Sequence, residues 1–320
     1  MWYNSIKQDI ILLQKGVTGG GCPVKIGVVF AGGMNKAAYE IGGALALSEH
    51  FTAGEIAHIS ASSIGVLPAL ALARGETARF RELWLSLAAG DAGRFFLGFL
   101  KKPAVREQLY AFVAADLPFL CELYVTVWNF SRRRVEYVRL NDLPAAGRWA
   151  YVRAALTVPL LYRGVRIGDD LYFDGAFLDD IPVKPLTDKA DDAIFCYYFE
   201  PGELFFENAE FDSRLVKIHR FRAKGFLSDT FLLETERVNE MIAAGRRATE
   251  SRLWEIFRDA DENRVREHLS LSRQETGREF RKLTPDIVLR KVNALMKKMN
   301  RQEIREIKEA ARERDATLYK

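Results

Sequence analysis

The sequence predicts an α/β fold, namely a three-layer α/β/α sandwich with a mostly parallel central sheet, followed by a helical C-terminal extension. Short apolar runs alternate with helical patterns up to about residue 221, and Arg- and Glu-rich helical patterns follow Gly225. Continuous apolar strands that alternate with helices indicate a parallel sheet covered on both faces. A composition of 48% hydrophobic and 28% charged residues in 320 excludes a disordered or collagen-like protein.

Two strand–turn–helix units begin the pattern. An apolar, β-branched run at 25–30 ends in a glycine turn and leads into a helix that ends near His50. A second strand at 56–60 ends in a turn of small residues, and an apolar helix follows it to about residue 73. Helical spacing of bulky apolar residues predicts a further helix after Gly75. Later strands are predicted at 123–130, 135–140, 171–173, 193–199 and 216–221.

The chain divides into three predicted parts, which are an N-terminal extension (1–24), a main domain (25–247) and a helical, basic extension (248–320). Thr284 and Pro285 form a good helix start, with threonine as N-cap and proline at the first helical position. From Arg246 onward there are 20 Lys/Arg residues against 14 Asp/Glu residues, whereas the preceding part has 27 against 29. We expect the extension to dock to a protein partner, to a second copy of the chain or to anionic lipid.

The cysteines and the start of the chain predict the compartment. The three cysteines are widely spaced and form neither a disulfide framework nor a zinc motif, so a reducing compartment and no metal or other cofactor are expected. Residues 1–16 lack the order of a secretory signal, and no apolar run approaches the ~20 residues of a spanning helix. The sequence predicts a cytoplasmic protein with peripheral membrane contact and no nucleic-acid partner.

The turn at residues 61–65 has the layout of a nucleophile elbow. Such an elbow places serine on a tight strand-to-helix turn with small neighbours two positions away on either side. Ser63 holds the central position, and Gly65 and Ala61 are the small neighbours. The hydroxyl would lie at a helix N-terminus, where developing negative charge is favoured. The alternative is an ordinary structural turn.

The glycine turn after the first strand offers backbone N–H groups that no side chain obstructs. Gly32 and Gly33 could therefore stabilise an oxyanion. The alternative is a dinucleotide-binding turn, but the spacing departs from G-x-G-x-x-G and no acidic residue clearly ends a second strand about 20 residues later.

The third element of the candidate site is a strand that ends in an acid followed by a glycine. Asp174 and Gly175 alone would indicate a hairpin turn. The order along the chain favours a catalytic site instead, because a glycine turn follows the first strand, a serine turn follows the second, and the Asp-Gly pair comes much later.

These blocks resemble the patatin-like phospholipases, a family of serine acyl hydrolases with a Ser-Asp dyad. The resemblance covers residues 25–247 and rests on the glycine-rich block at 26–42, the serine turn at 61–65, the small-residue and proline segment at 153–159, and the Asp-Gly-Ala block at 174–176. The chain departs from the family pattern at Met34, Lys36, Ala37, Ala61 and Asp180. Met34 replaces a glycine, so a positive φ there would be costly.

The resemblance implies the roles of the site residues. Ser63 would be the nucleophile and Asp174 its base, while the N–H groups of Gly33 and Met34, with Gly32, would form the oxyanion hole. The supporting residues would be Lys36, Gly65 and Gly175. The implied substrates are phospholipids or lysophospholipids. The alternative from another class is a lipid-binding or scaffold protein that retains the fold after its oxyanion turn has drifted.

Two further features leave alternatives open. His219 follows the acid in the chain order of a Ser-acid-His triad, although it also fits a structural strand residue. Residues 94–102 place bulky apolar side chains next to two lysines, a combination suited to a lipid interface. Core packing beneath a loop is the other interpretation of this segment.

Overall fold

The computed structural model describes residues 24–52, 54–90, 101–159, 161–197, 214–218, 234–259 and 261–280, with only the backbone at Lys36 and at 277–280. In this part of the chain the strands are β1 (Ile26–Phe30), β2 (Ile56–Ser62), β3 (Glu122–Asn129), β4 (Arg134–Arg139), β5 (Val165–Ile167), β6 (Asp170–Asp174), β7 (Ala193–Tyr197) and β8 (Leu215–Ile218). The helices are α1 (Ala37–His50), α2 (Val66–Ala73), α3 (Thr77–Ala89), α4 (Pro103–Ala114), α5 (Ala145–Ala155), α6 (Thr235–Phe257) and α7 (Glu262–Phe280).

One mixed sheet organises the fold. Its strand order is β5-β6-β3-β2-β1-β7-β8, and β4 pairs with β3. The neighbours β3-β2, β2-β1, β1-β7 and β7-β8 are parallel, whereas β4 and β6 run antiparallel to β3 and β5 runs antiparallel to β6. Helices pack on both sides of the sheet, so the predicted α/β sandwich with a mostly parallel sheet is confirmed.

The apolar runs occupy the centre of the sheet. Every residue of β1 and of β7 is buried, which explains why these strands are continuously apolar instead of alternating. In contrast, no residue of β4 is fully buried. The core therefore lies around β1, β2 and β7, and the helices α1 and α2 that follow the first two strands are buried along most of their length.

The pairing of β3 brings two distant strand ends together. One edge of β3 pairs with β4 along residues 124–129. The other edge pairs first with β2, where Ser62 lies opposite Thr126, and then with β6, where Asp174 lies opposite Val127. Because Thr126 and Val127 are neighbours, the ends of β2 and β6 meet head to head along one edge of β3.

Helix α6 packs against α1 at very short range. A Cβ atom built on Gly245 would lie 1.8 Å from the carbonyl oxygen of Tyr39, and one built on Gly42 would lie 1.9 Å from that of Ile242. Ile256 of α6 and Leu269 of α7 belong to the same core as the sheet. The predicted boundary after residue 247 lies within α6, and this helix packs on the main core.

One strand end differs from its prediction, and several other predictions concern residues that the structure does not describe. Strand β2 extends to Ser62, two residues further than predicted, so the serine turn follows the strand directly. The N-terminal residues 1–23, most of the segment 94–102, His219 and the extension from 281 onward lie outside the described residues. No helix in the described part of the chain is long and apolar enough to cross a membrane.

Candidate active site

Ser63 lies directly after β2, in a 3-10 turn (Ser63–Gly65) that leads into α2. Its φ of 47° is in the left-handed region, which residues with a side chain rarely adopt. Backbone strain of this kind costs about 1–3 kcal/mol and is frequent at functional sites. The side chain is buried, and the turn holds its hydroxyl at the start of a buried helix.

The hydroxyl of Ser63 donates a hydrogen bond to Asp174. The distance between Ser63 Oγ and Asp174 Oδ2 is 2.6 Å. The other carboxylate oxygen accepts the N–H of Ala176 at 2.9 Å, and the N–H of Asp174 donates to the carbonyl of Thr157 at 2.9 Å. Both oxygens are therefore oriented, and the strand end that carries the acid is fixed.

Burial determines the acidity of this carboxyl group. Asp174 is 2% exposed, and desolvation raises its pKa from 3.8 to about 7. The hydrogen bonds from Ser63 and Ala176 act in the opposite direction, because they favour the ionised form. An aspartate with a pKa near neutrality can accept a proton from a hydroxyl far better than an ordinary solvated one.

The glycine turn approaches Ser63 closely. A Cβ atom on Gly32 would lie 2.9 Å from the Cβ of Ser63 and 2.5 Å from Asp180 Oδ1, so only glycine fits without displacement. The N–H of Gly32 donates to Asp180 Oδ1 at 2.9 Å. Since the Gly32 N–H already donates to Asp180, the candidate oxyanion donors of this turn are the N–H groups of Gly33 and Met34.

Asp180 connects the two turns. Besides binding Gly32, its main-chain oxygen accepts the hydroxyl of Ser62 at 2.5 Å. Ser62, which precedes Ser63, and Gly32 are therefore both hydrogen-bonded to Asp180. In the sequence Asp180 appears only as a departure from the family pattern, and its position beyond Asp174 gives no sign of this contact.

Met34 adopts a left-handed backbone, with φ at 54°, and Gly33 has φ at 150°. No described residue accepts a hydrogen bond from the N–H of either one. The turn thus requires a positive φ at Met34, and a residue with a side chain adopts this conformation at a cost of about 1–2 kcal/mol.

The strain at Met34 can be measured with two variants that remove the same side chain. We expect Met34→Gly to be more stable than Met34→Ala by about 1 kcal/mol, because only the alanine retains a Cβ at positive φ. Urea unfolding followed by circular dichroism compares them. Alanine is normally the more stable of the two residues, so a more stable Met34→Ala variant would contradict the strained backbone.

Glu40 is a buried acid behind both turns. Its Oε1 accepts the N–H of Ala31 at 2.7 Å, whereas its Oε2 has no partner among the described residues. A Cβ on Gly65 would lie 3.0 Å from Oε2 and 2.5 Å from the Ala31 carbonyl oxygen. Desolvation raises the pKa of Glu40 well above its ordinary value, and the carboxyl supports the glycine turn through the N–H of Ala31. The only sequence signal is an acid within an otherwise apolar helix segment.

The other sequence candidates lie as follows. Gly175 packs on β3, where a Cβ atom would lie 2.7 Å from the backbone carbon of Thr126. Lys36 is in a 3-10 turn before α1, and its side chain is outside the described atoms. Within the described ranges, no group of three or more His, Cys, Asp or Glu residues could hold a metal ion.

The histidines in the described residues have partners away from this site. His58 Nδ1 lies 2.8 Å from Asp191 Oδ1, near the amino end of β2. His50 contacts the ring of Phe51 edge-on and that of Phe257 at a tilt, and the Nδ1 atom of His268 lies 3.1 Å from the carbonyl oxygen of Ile256. The alternative triad through His219 concerns a residue outside the described part.

Comparison with known proteins identifies one family. The family model for patatin-like phospholipases matches residues 28–187. Among solved structures, the chain is similar to VipD from Legionella pneumophila, with 12% identity and a TM-score of 0.44, covering 72% of this chain and 66% of that one. It is also similar to the heterodimeric complex ExoU-SpcU from the type III secretion system of Pseudomonas aeruginosa, with 16% identity, a TM-score of 0.32, and coverage of 81% and 60%. This chain covers less than two thirds of either structure. No curated protein sequence matches.

Proposed function

Because the chain belongs to the patatin-like phospholipase family, we propose that it hydrolyses the carboxylic esters of phospholipids or lysophospholipids through an acyl-enzyme on Ser63. The observation that carries the proposal is the 2.6 Å hydrogen bond from Ser63 Oγ to the buried Asp174. A buried carboxylate that accepts the proton of a strained serine is the arrangement a Ser-Asp dyad requires.

The acylation step follows from this arrangement. Ser63 Oγ attacks the ester carbonyl carbon while its proton moves to Asp174 Oδ2, and the carbonyl oxygen becomes an oxyanion. We assign the stabilisation of that charge to the N–H groups of Gly33 and Met34, together with the N-terminus of α2. The leaving alcohol then takes the proton from Asp174, which leaves the acyl group on Ser63.

Deacylation uses the same groups in reverse. Water attacks the acyl carbon, Asp174 accepts one of its protons, and the proton returns to Ser63 Oγ as the ester bond breaks. The products are a free fatty acid and the regenerated serine. Since the base has to be ionised at the start of each half-reaction, the pKa of Asp174 determines the pH range of activity.

The pH dependence provides a direct prediction. We expect kcat/KM for an uncharged soluble ester to rise about tenfold per pH unit below about pH 7 and to level off above it, because only ionised Asp174 accepts the serine proton. Initial rates with a short-chain p-nitrophenyl ester, corrected for spontaneous hydrolysis, give the profile. A profile that falls as the pH rises toward 7 would contradict Asp174 as the base.

Membrane contact is the second part of the proposal. We assign it to one surface, called the hairpin patch, which consists of Trp128, Phe130, Phe173, Arg132 and Arg133. The three rings contact one another, with centroids 5.2–6.2 Å apart. Phe130 is 49% exposed, and both arginines at the hairpin tip are exposed. An aromatic cluster bordered by arginines suits an anionic lipid interface.

The position of the hairpin patch agrees with this role. The β3–β4 tip lies beyond the carboxyl end of β3, and Ser63 follows the carboxyl end of the parallel neighbour β2. Arg132 pairs with Asp170 at 2.7 Å, whereas Arg133 has no acidic partner among the described residues. The patch therefore offers positive charge and apolar surface at the same end of the sheet as the dyad.

We expect Phe130→Ala to weaken binding to vesicles of phosphatidylcholine and phosphatidylserine about tenfold, because burial of one phenylalanine contributes about 1.5–3 kcal/mol. The rate on a soluble ester should not change. Leu271→Ala, which removes an apolar side chain that is 54% exposed on α7, is the matched control. Equal vesicle binding by both variants in a sedimentation assay would reject the hairpin patch and leave the hydrolase proposal intact.

A further inference from the structure

A second site lies at the opposite end of the sheet from the dyad. A cavity of about 730 Å³ is formed by the loop between α4 and β3 and by the start of α5. Its lining is mixed: the polar or charged members are Asp116, Asn141 and Arg148, and the apolar members include Leu117, Pro118, Phe119, Leu143 and Pro144. The loop at 115–121 precedes the amino end of β3, whereas the dyad lies beside the carboxyl half of that strand.

Arg148 lines this cavity and is the reason to regard it as a binding site. The residue is 7% exposed, yet its guanidinium forms no hydrogen bond or ion pair with any described residue. Its Nε is buried without a partner. A guanidinium is always charged and carries five N–H donors, and leaving the buried Nε–H of Arg148 without an acceptor among the described residues is costly. The contact the structure shows for this group is the ring of Phe119, whose centroid lies 5.8 Å from its central carbon.

A second guanidinium adds to the positive charge. The central carbon of Arg74 lies 4.9 Å from the centroid of the same Phe119 ring, and its terminal nitrogens donate to the carbonyls of Phe112 and Val113, each at 3.1 Å. Burial, and then repulsion from Arg148, lower the pKa of Arg74 to about 10. The exposed Asp116 also lines the cavity and offsets part of the charge. An incoming anion would relieve the repulsion between the two arginines.

The start of α5 contributes further donors. Pro144 occupies the N-cap position and provides no side-chain hydrogen bond to the first turn. Pro144 and Ala145 both line the cavity, so the positive end of the helix dipole borders it. Helix N-termini next to arginine are well suited to phosphate, since the N–H groups and the guanidinium fork bind its oxygens together.

We propose that this cavity binds a phosphate group, either free phosphate or the phosphate of a lipid head group, with Arg148 as its principal ligand. The site is separate from the dyad and does not depend on the proposed hydrolysis. Its apolar lining residues, such as Leu117 and Phe119, are suited to contact the uncharged part of a phosphate ester. Arg148 then gains acceptors that the described residues do not provide.

The test uses the full chain and isothermal titration with inorganic phosphate. We expect Arg148→Gln to lose about ten- to hundredfold in affinity, because hydrogen bonds to charged groups contribute about 1.5–3 kcal/mol. Arg148→Lys should retain part of the affinity, and Arg264→Gln, at an exposed position on α7, should retain all of it. Millimolar phosphate should raise the Tm of the parent and of Arg264→Gln, but not that of Arg148→Gln.

A second arm distinguishes the sources of the phosphate. Binding to vesicles that contain phosphatidic acid is compared with binding to inorganic phosphate. If the protein binds only the vesicles, and Arg148→Gln abolishes that binding, the ligand is a lipid head group. Phosphate binding that is unchanged in Arg148→Gln, or the absence of Arg148-dependent binding in both arms, would overturn the site. Activity on a soluble ester should be the same in all variants, so failure here is distinguishable from failure of the dyad.

Discussion

Replacing Ser63 by alanine should lower kcat/KM for a soluble ester by about a thousandfold or more, because the nucleophile and its covalent intermediate are both lost. The loss should appear in kcat, since the substrate contacts are left in place. A fluorophosphonate probe should label the parent at Ser63, as shown by peptide mapping, and should not label the variant.

The matched substitution at the acid is Asp174→Asn. The amide is nearly isosteric, so its oxygen can still accept the N–H of Ala176 while its nitrogen donates to Ser63 Oγ. The geometry is kept and the base is lost, so we expect a decrease of similar size. The double variant should be no slower than either single one, because the two residues act as a unit.

Ser60→Ala is the control for the serine substitution. Ser60 lies on β2 three residues before Ser63, is fully buried, and has a hydroxyl without a partner among the described residues. We expect this variant to fold and to hydrolyse ester at the parental rate. Equal rates in the parent, Ser63→Ala and Asp174→Asn would favour the non-catalytic lipid-binding or scaffold alternative.

Replacing Gly245 by alanine should reduce the free energy of unfolding by more than about 3 kcal/mol. The added Cβ would lie 1.8 Å from the carbonyl oxygen of Tyr39, and since both residues are in helices, neither the Cβ nor the carbonyl can rotate away. The helices α1 and α6 would have to separate. Glu40 follows Tyr39 on α1 and binds the glycine turn, so ester hydrolysis should also decrease.

Gly147→Ala is the control for this helix contact. Gly147 lies in the first turn of α5, where the nearest atom to an added Cβ is 3.5 Å away, an ordinary contact distance. Alanine there should stabilise the protein by about 0.5–1 kcal/mol, as expected for a helical glycine. Urea unfolding followed by circular dichroism measures both variants. If the two behaved alike, the close packing of α6 on α1 would be contradicted.

Much of the fold could be predicted because its signals are local. The continuous apolar run of β1 and the helices after the two turns depend on residues that are close together in the chain, and the structure has these elements with small shifts in their ends. The glycine turn, Ser63 and Asp174 were recognisable by residue type and order. The packing of α6 on α1 could not be predicted, since its closest contacts involve Gly42 and Gly245, about 200 residues apart, and nothing local to either marks the contact.

The supporting residues of the site could not be found in the same way. Asp180 acts through the N–H of Gly32, 148 residues away, and Glu40 through the N–H of Ala31. Neither residue belongs to a pattern that specifies its role. Arg148 is similarly one arginine among many in the sequence, and only its burial beside the cavity distinguishes it.

By itself, the sequence determined the strand and helix pattern, the family, and the residue types available for chemistry at residues 32–34, 63 and 174. The tertiary structure decided that β2 and β6 meet along one edge of β3, which brings Ser63 Oγ within 2.6 Å of Asp174. It also decided the pKa of that acid, near 7, since desolvation depends on what surrounds a group after the chain has folded. Local patterns reflect neighbours in the chain, whereas strand register and burial reflect neighbours in space.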